Sequence, residues 1–313
     1  MIEYFQKKRE GGTTVLNYDS GTISAKLEQS EKELVSGVRF SMEEGRSLAL
    51  IGETGSGKTM IARSIMGLLP GNVQMKDGKI LFCGDELTGR SARKLLGDRI
   101  VYIPQNGLES LNPSRKIRHH LYDNLKKIGI PRAELEQEAL SKLALVGFPE
   151  PEKLLDKYPF QLSGGMAQRV TIAISACSRG ALMIADEPTN GLDDGAKLKF
   201  MELLQTVFPH AAKLMITHDI TLAELCDETL VLCGGRMMEK GPSSQILHAP
   251  RNQYTCALIL SLIKNGMRET PVLHSETGEC PFFRRCQAAR PSCRVNVEHH
   301  QSGQREWWCN HLI

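Results

Sequence analysis

Gly52-Glu53-Thr54-Gly55-Ser56-Gly57-Lys58-Thr59 decides the fold class of this chain, because of what stands on either side of it. The apolar run Ser47–Ile51 precedes it, and a helical pattern follows over Met60–Leu69. A glycine-rich loop between a buried strand and a helix is typical of a phosphate-binding loop. Its backbone N–H groups converge on phosphate oxygens, and the helix N-terminus adds partial positive charge. All eight residues are therefore candidate nucleotide ligands in an α/β fold.

Four side chains, two in this loop and two at the end of a later strand, are candidates for binding and hydrolysing the nucleotide. Lys58 should reach the β- and γ-phosphates, and the Thr59 hydroxyl should ligate Mg²⁺. A second apolar strand, Ala181–Glu187, ends in two carboxylates. We expect Asp186 to hold the magnesium shell through water and Glu187 to polarise the attacking water. Taken alone, two acidic residues after an apolar run would only mark a strand that reaches solvent.

Gln105 and His218 end two further apolar strands, Ile100–Pro104 and Lys213–Thr217. Ligands of open α/β sheets bind at the carboxyl ends of the strands. Either residue alone would be read as a solvated or structural side chain. The order of the surrounding motifs makes both candidates for the catalytic site.

Composition limits the classes of function that this chain can serve. Its 313 residues exceed what one simple core needs, which favours a large domain with lobes and a small appendage. A net charge of +3 with scattered Lys and Arg residues argues against nucleic-acid binding. There is no run of 18 apolar residues, and the first ten residues lack the apolar stretch of a signal peptide. We expect a cytosolic chain whose role in any transport would require separate membrane subunits.

The order of the motifs resembles that of the ATP-binding-cassette (ABC) ATPases of bacterial importers, over residues 35–265. Leu162–Gln168, Leu-Ser-Gly-Gly-Met-Ala-Gln, is the most specific match, to the signature of that family. The other matches are Gly52–Thr59 to Walker A, Gln105 to the Q-loop, Leu182–Glu187 to Walker B, Leu192-Asp193 to the D-loop and His218 to the switch histidine.

The resemblance implies that two cassettes close on ATP. Ser163, Gly164 and Gly165 would then contact the γ-phosphate held by the other cassette, and Asp193 would lie near the nucleotide. Gln105 would be a magnesium ligand at a hinge between the γ-phosphate and the permease. Glu187, His218 and Gln105 form the implied catalytic set, with ATP and Mg²⁺ as cofactors.

Finer matches are similar to the oligopeptide/dipeptide/nickel importer ATPases. They are Ser110–Pro113 after Gln105, Tyr158–Met166, which resembles the nickel branch, and Gly235–Pro242 with Gln253-Tyr254-Thr255 downstream. The resemblance implies a second, usually different ATPase subunit, two transmembrane permease subunits and an extracytoplasmic substrate-binding protein. It places the chain peripherally on the cytoplasmic face of the bacterial plasma membrane. Peptides and nickel or metal chelates remain open as cargo.

Adenine recognition departs from the family pattern. Many cassettes stack an aromatic residue on adenine, but the corresponding stretch near Ala25-Lys26 has none. Tyr18 is the nearest candidate, and it lies further upstream.

Four of the nine cysteines crowd into the last 34 residues with the spacing C-x5-C-x6-C-x15-C; they are Cys280, Cys286, Cys293 and Cys309. Four thiolates suit zinc or an iron–sulfur cluster, although structural zinc commonly uses tighter pairs. The tail resembles the extension of peptide-importer ATPases, some of which carry a 4Fe–4S cluster. We therefore expect 4Fe–4S, with Zn²⁺ or unligated thiols as alternatives, and His299, His300 and His311 as alternative ligands.

The fold class expected is α/β, a P-loop NTPase of the ABC nucleotide-binding type with a RecA-like core. An antiparallel β subdomain should come from the first ~45 residues, and a helical subdomain from about 106–165, including an amphipathic helix over Ala133–Leu145. The predicted domains are residues 1–265 and a Cys-rich extension over 266–313.

Three other functions fit the sequence less well. An unspecified P-loop ATPase would lack the signature. A soluble ABC ATPase acting on ribosomes or DNA would usually carry two cassettes or a coiled-coil insertion, and this chain has one Walker A loop and no sustained heptads. A catalytically silent cassette is opposed by intact Lys58, Glu187 and His218.

Overall fold

The computed structural model describes residues 12–28, 30–261, 279–295 and 297–311. The strands, in chain order, are β1 (Thr14–Asp19), β2 (Thr22–Lys26), β3 (Glu31–Ser36), β4 (Arg39–Glu43), β5 (Ser47–Ile51), β6 (Val73–Lys76), β7 (Lys79–Phe82), β8 (Asp85–Glu86), β9 (Ile100–Ile103), β10 (Leu182–Asp186), β11 (Ala212–Thr217), β12 (Glu228–Cys233), β13 (Arg236–Pro242), β14 (His299–Ser302) and β15 (Arg305–Trp308). The α-helices are α1 (Lys58–Met66), α2 (Gly89–Leu95), α3 (Ile117–Lys127), α4 (Leu135–Leu145), α5 (Glu152–Leu155), α6 (Gly164–Ser175), α7 (Asp194–Val207), α8 (Ile220–Glu224), α9 (Ser243–His248) and α10 (Gln253–Leu260).

The central sheet has eight strands in the order β14-β15-β13-β12-β5-β11-β10-β9. The five strands from β12 to β9 run parallel, and every residue of β5 and β11 is buried. Parallel strands covered on both faces are expected to be continuous apolar runs, as these are. Because their carboxyl ends lie at one edge of the sheet, the loops after β5, β9, β10 and β11 are brought together there.

The amino-terminal strands form two antiparallel sheets, β4-β1-β7-β8 and β3-β2-β6. The expected antiparallel subdomain is present, but the first ~45 residues do not complete it alone. Strand β6 pairs with β2 and β7 pairs with β1, while β8 extends the sheet by pairing with β7. Such non-local pairing leaves no mark in the local pattern of either segment.

Helices α3 and α4 pack against each other in the region between β9 and β10. Residues four apart are buried on each helix; they are Ile117, Leu121 and Leu125 on α3, and Leu135, Ala139 and Leu143 on α4. The amphipathic helix predicted over Ala133–Leu145 is therefore confirmed, with its start at Leu135. Helix α1 ends earlier than predicted, at Met66, because Gly67 takes a left-handed conformation (φ 68°) that terminates it.

The Cys-rich extension continues the central sheet. β15 pairs with β13, and β14 pairs with β15. Arg305 of β15 forms a buried ion pair with the fully buried Glu239 of β13, with Nε to Oε1 at 2.9 Å. The predicted boundary between residues 265 and 266 falls in 262–278, outside the described residues, and remains a prediction.

Across the residues that the structure describes, no helix is both long enough and apolar enough to cross a membrane.

Candidate nucleotide-binding site

The phosphate-binding loop turns tightly between β5 and α1. A Cβ atom on Gly52 would lie 2.2 Å from the carbonyl oxygen of Leu232, and one on Gly57 would lie 2.7 Å from a methyl carbon of Val35. Both glycines also have positive φ, 152° and 102°. The loop therefore requires glycine at these positions for close backbone packing as well as for its turn.

Lys58 is buried at the centre of this loop. Its Nζ donates to the carbonyl oxygens of Gly52 at 2.6 Å and Glu53 at 2.9 Å. Burial lowers the pKa of Lys58, whereas the nearby carboxylates of Glu187, Asp186 and Glu53 act to raise it. The Lys58 ammonium is therefore desolvated and interacts electrostatically with three carboxylates. Thr59 follows on the first turn of α1 and is exposed.

Glu187 is held by the end of the neighbouring strand. Its carboxylate lies 2.9 Å from His218 Nδ1 and accepts hydrogen bonds from the Thr217 hydroxyl at 3.2 Å and from His218 N–H at 3.4 Å. Its own N–H donates to Ile216 O at 2.8 Å. Glu187 has a left-handed φ of 46°, a strained conformation for a non-glycine residue that occurs preferentially at functional sites.

Asp186 lies at the end of β10, beside Glu187. Burial raises its pKa first, and the Glu187 charge adds to that effect. The Tyr102 hydroxyl lies 3.5 Å from Asp186 Oδ2, and burial followed by the Asp186 charge raises the pKa of Tyr102 to about 12. Two adjacent carboxylates are a donor set that suits Mg²⁺, a cation that prefers oxygen ligands. Sequence reasoning missed Tyr102, since an exposed strand tyrosine carries no distinguishing signal.

Gln105 is the remaining candidate for this site. It follows β9 and Pro104 and is exposed. In the described part of the chain, no hydrogen bond or ion pair joins it to Lys58, Asp186 or Glu187. Its assignments as a magnesium ligand and as a catalytic residue remain predictions.

The signature residues form the amino-terminal end of α6. Ser163 is the N-cap, and its hydroxyl accepts from Met166 N at 3.4 Å. Gly164 and Gly165 form the first turn and are exposed, and no atom in the described part of the chain lies within 4 Å of where their Cβ would be. Packing within this chain therefore does not require glycine here. A 12-residue helix whose free N–H groups face solvent is suited to binding an anion.

Two sets of contacts link the signature helix and the start of α7 to residues next to Glu187 and His218. The Gln168 side chain donates to Pro188 O, one residue past Glu187. Lys197 of α7 bridges Asp194 at 3.0 Å and Asp219 at 2.5 Å, and Asp219 follows His218 directly. Asp193 caps α7 by accepting from Ala196 N at 2.9 Å. A direct role of Asp193 toward nucleotide remains a prediction.

Tyr18 cannot stack on adenine, because it belongs to the core. Its side chain is fully buried, its ring stacks on Phe40 with centroids 4.8 Å apart, and its hydroxyl lies 3.0 Å from Ser64 Oγ. Tyr18 is therefore excluded as the missing adenine residue.

The four carboxyl-terminal cysteines and His311 line one cavity, with Tyr254 and Phe282. Cys280 N–H donates to Cys293 O at 2.8 Å, and Cys293 Sγ lies 3.8 Å from His311 Nε2. Burial raises the pKa of Cys280 to about 11. Within residues 12–28, 30–261, 279–295 and 297–311, however, no three His, Cys, Asp or Glu side chains are arranged to hold a metal ion. His299 and His300 stack on Trp308 and Trp307.

Three comparisons with known proteins bear on this site. The family model "ABC transporter" matches residues 35–190, and the model "Oligopeptide/dipeptide transporter, C-terminal region" matches residues 238–293. The dipeptide transport ATP-binding protein DppD of Bacillus subtilis is 36% identical over 273 residues, which cover 81% of each chain. The nickel import ATP-binding protein NikD of Rhodospirillum rubrum is 35% identical over 229 residues, 72% of this chain and 87% of that one.

Among solved structures, cbiO1 of Clostridium perfringens, described as part of the ABC transporter complex cbiONQ, has a TM-score of 0.64. That structure is 22% identical and is matched over 80% of this chain and 95% of its own.

Proposed function

This chain belongs to the ATP-binding subunits of ABC transporters, and we propose that it hydrolyses ATP to drive the import of peptides through a separate membrane permease. The observation that carries the proposal is the packing of Glu187 against His218 at 2.9 Å, within electrostatic range of the buried Lys58. These contacts support a reaction in which Glu187 is the base, His218 its orienting partner and Lys58 the cation that binds phosphate.

In the proposed reaction, the γ-phosphate replaces the loop carbonyls as the partner of Lys58. Glu187 accepts a hydrogen bond from the attacking water and orients it in line with the bond that breaks. His218 holds the Glu187 carboxylate and faces the same phosphate. Mg²⁺ would neutralise charge on the β- and γ-phosphates, and Thr59, Asp186 and Gln105 are the residues proposed to hold it.

A second cassette completes the site in this proposal. Ser163, Gly164 and Gly165 are exposed at a helix N-terminus, and no atom of the described residues lies within 4 Å of a Cβ added to either glycine. The γ-phosphate bound by another subunit would supply the anion that this end suits. ATP binding then favours the closed pair of cassettes, because only that state makes these contacts. The partner cassette is proposed to be a different chain of the same family.

The remaining partners are two permease subunits and an extracytoplasmic substrate-binding protein, with the ATPase peripheral on the cytoplasmic face of the bacterial plasma membrane. Peptides are favoured as cargo because the match of the peptide-transporter C-terminal model reaches residue 293. Nickel or a nickel chelate is the second candidate, and the 35% identity to NikD supports it.

Cargo is tested with the complete transporter in lipid nanodiscs, including its binding protein. The proposal predicts that di- and oligopeptides stimulate ATP hydrolysis several-fold and that Ni²⁺ does not. Stimulation by Ni²⁺ or a nickel chelate alone would replace peptides with the second candidate. ATP hydrolysis without any partner subunits, stimulated by ribosomes or DNA, would contradict an importer.

The cysteine cavity is proposed to hold a 4Fe–4S cluster through Cys280, Cys286, Cys293 and Cys309. The support is the donor set, because four thiols line one cavity that also includes aromatic side chains. Such a cluster would cross-link the extension, a structural role remote from hydrolysis. Protein purified without oxygen should contain about four iron atoms per chain and absorb broadly near ~400 nm, whereas stoichiometric zinc would favour the alternative.

A further inference from the structure

Glu53, the second residue of the phosphate-binding loop, is held on three sides, and two of these contacts come from the carboxyl-terminal part of the chain. Its N–H donates to the Tyr254 hydroxyl at 3.2 Å. Its carboxylate lies 2.8 and 2.9 Å from Nη1 of Arg285, which is 232 residues away in sequence. Its carbonyl oxygen accepts from Lys58 Nζ at 2.9 Å.

Arg285 is enclosed where it makes this ion pair. Its side chain is 5% exposed, and the guanidinium carbon lies 5.1 Å from the ring centroid of Phe282 and 5.9 Å from that of Tyr254. Nη2 lies 3.5 Å from Cys233 Sγ, and Nε is buried without a hydrogen-bond partner among the described residues. A guanidinium in such surroundings requires a charged partner, since an unpaired buried charge is costly. Glu53 is that partner.

The same ion pair matters for the loop that contains Glu53. An unpaired carboxylate at this position would repel a triphosphate entering the loop, because like charges a few ångströms apart interact strongly where water is partly excluded. It would also compete for Lys58, the cation that the γ-phosphate needs. Arg285 neutralises Glu53 and directs its carboxylate to the side of the loop that faces the extension.

We propose that Arg285 is a positioning residue for ATP: it holds Glu53 away from Lys58, so that the phosphate-binding loop admits the triphosphate. This inference rests on the proposed ATPase function and deepens it. Arg285 comes from the turn Phe283–Arg285, directly before Cys286, and Phe282 lines the cysteine cavity. The extension therefore contributes to the nucleotide site of its own chain, in addition to any group that its cysteines hold.

The test uses the full-length chain and the affinity for a fluorescent ATP analogue with Mg²⁺. Arg285→Gln should weaken binding about tenfold, or about 1.4 kcal/mol. Adding Glu53→Gln to that variant should restore the affinity to within about threefold of the unmodified chain, because the repelling charge is gone. In the assembled transporter, Arg285→Gln should raise KM for ATP with kcat retained at saturation.

Arg284→Gln is the matched control. It removes the same charge from the same turn, but Arg284 is 43% exposed and pairs with Glu279 at 3.3 Å. Its nucleotide affinity should equal that of the unmodified chain. Arg285→Lys keeps the charge and serves if the glutamine variant does not fold. It should weaken binding by less than about threefold, since a point charge still neutralises Glu53.

The inference is overturned if Arg285→Gln binds nucleotide as tightly as the unmodified chain. It is equally overturned if Glu53→Gln gives no restoration, because Arg285 would then only maintain the fold. A tenfold loss with Arg285→Lys would contradict the neutralising role. Absence of nucleotide binding by the unmodified chain would instead overturn the proposed ATPase function, and this inference with it.

Discussion

The phosphate-binding loop and the signature both place glycines at the N-terminus of a helix, yet the two regions differ in how closely the rest of the chain packs around them. The loop is enclosed by its own chain: Lys58 bonds to loop carbonyls, and side chains at Gly52 or Gly57 would collide with neighbouring atoms. The signature is open, and Gly164 and Gly165 face empty space. The first region packs closely against its own chain, and the second faces solvent.

Because of this difference, we expect substitutions in the two regions to affect different steps. Damage to the enclosed region should affect ATP handling by the chain itself. Damage to the open region should leave the isolated chain intact and affect hydrolysis only where two cassettes meet. Variants that test each region can therefore be distinguished by whether their effect requires the assembly.

Glu187→Gln should have the largest effect. The amide keeps the shape of the side chain but cannot accept a proton from the attacking water, so hydrolysis by the assembled transporter should fall on the order of 10³-fold. Affinity for ATP should be retained. The steady-state rate of phosphate release measures the first quantity, and a fluorescent nucleotide measures the second.

Glu202→Gln is the control for this variant, because Glu202 is an exposed residue of α7. It should hydrolyse ATP at the unmodified rate. Normal turnover by Glu187→Gln would remove Glu187 from the catalytic role.

Gly165→Asp tests the open region. A carboxylate at the first turn of α6 suits the helix dipole but repels a γ-phosphate, so hydrolysis by the assembly should fall about 100-fold. The isolated chain should keep its thermal stability and its affinity for ATP, because no atom of the described residues lies within 4 Å of a Cβ added to Gly165. Loss of affinity in the isolated chain would break the distinction between the two regions.

Gly89→Asp provides a matched comparison. Gly89 is also exposed in the first turn of a helix, and among the described residues an added Cβ would meet only Gly67 Cα at 3.9 Å. The same charge at α2 should leave hydrolysis by the assembly unchanged. An equal loss at both positions would assign the effect to net charge alone.

Asp186→Asn should stabilise the chain measured without nucleotide or Mg²⁺. Burial, reinforced by Glu187, raises the pKa of Asp186, so the folded state retains a proton to higher pH than the unfolded chain does. Stability therefore falls as pH rises from the ordinary carboxyl pKa through the raised one, and the cost is fully present at neutral pH. The variant should raise Tm by about 2 °C at pH 7, with a smaller gain near pH 4.

Asp98→Asn should act in the opposite direction. Hydrogen bonds from Arg179 at 2.8 and 2.9 Å lower the pKa of Asp98, so its charge stabilises the folded state at neutral pH. Its replacement should lower Tm at pH 7. A lower Tm for Asp186→Asn as well would show that Asp186 already has a compensating partner in the free chain.

Tyr18→Phe should have the smallest effect, and only on stability. It removes the hydroxyl that lies 3.0 Å from Ser64 Oγ, at a cost of about 1 kcal/mol in the free energy of unfolding. ATP affinity should stay within about twofold of the unmodified chain. A fivefold loss of affinity for ATP would contradict the exclusion of Tyr18 from adenine binding.

The parts of this molecule that sequence could predict are those encoded in short stretches. The apolar strands, the loop Gly52–Thr59 and the acids ending β10 each carry local signals, and the parallel sheet brings their carboxyl ends together. The pairing of Glu187 with His218 follows from adjacent strands and could be anticipated. The order of motifs also led to the correct family.

Contacts between distant segments could not be predicted in this way. Arg285 and Glu53 are 232 residues apart, and nothing in the tail indicates which loop its arginines approach. Tyr254 lies in a stretch whose sequence indicates the family but no contact partner. Its hydroxyl accepts a hydrogen bond from Glu53 N–H, and that contact depends on how α10 packs. The partners of β1 and β2 in residues 73–82 likewise depend on tertiary pairing.

The most direct test of the central claim is a structure of the complete transporter carrying Glu187→Gln, loaded with ATP and Mg²⁺. We predict that Gly165 N and Ser163 Oγ lie within about 3.5 Å of γ-phosphate oxygens of the ATP bound by the other cassette. A closed, nucleotide-loaded assembly in which residues 163–165 contact no phosphate would contradict the account.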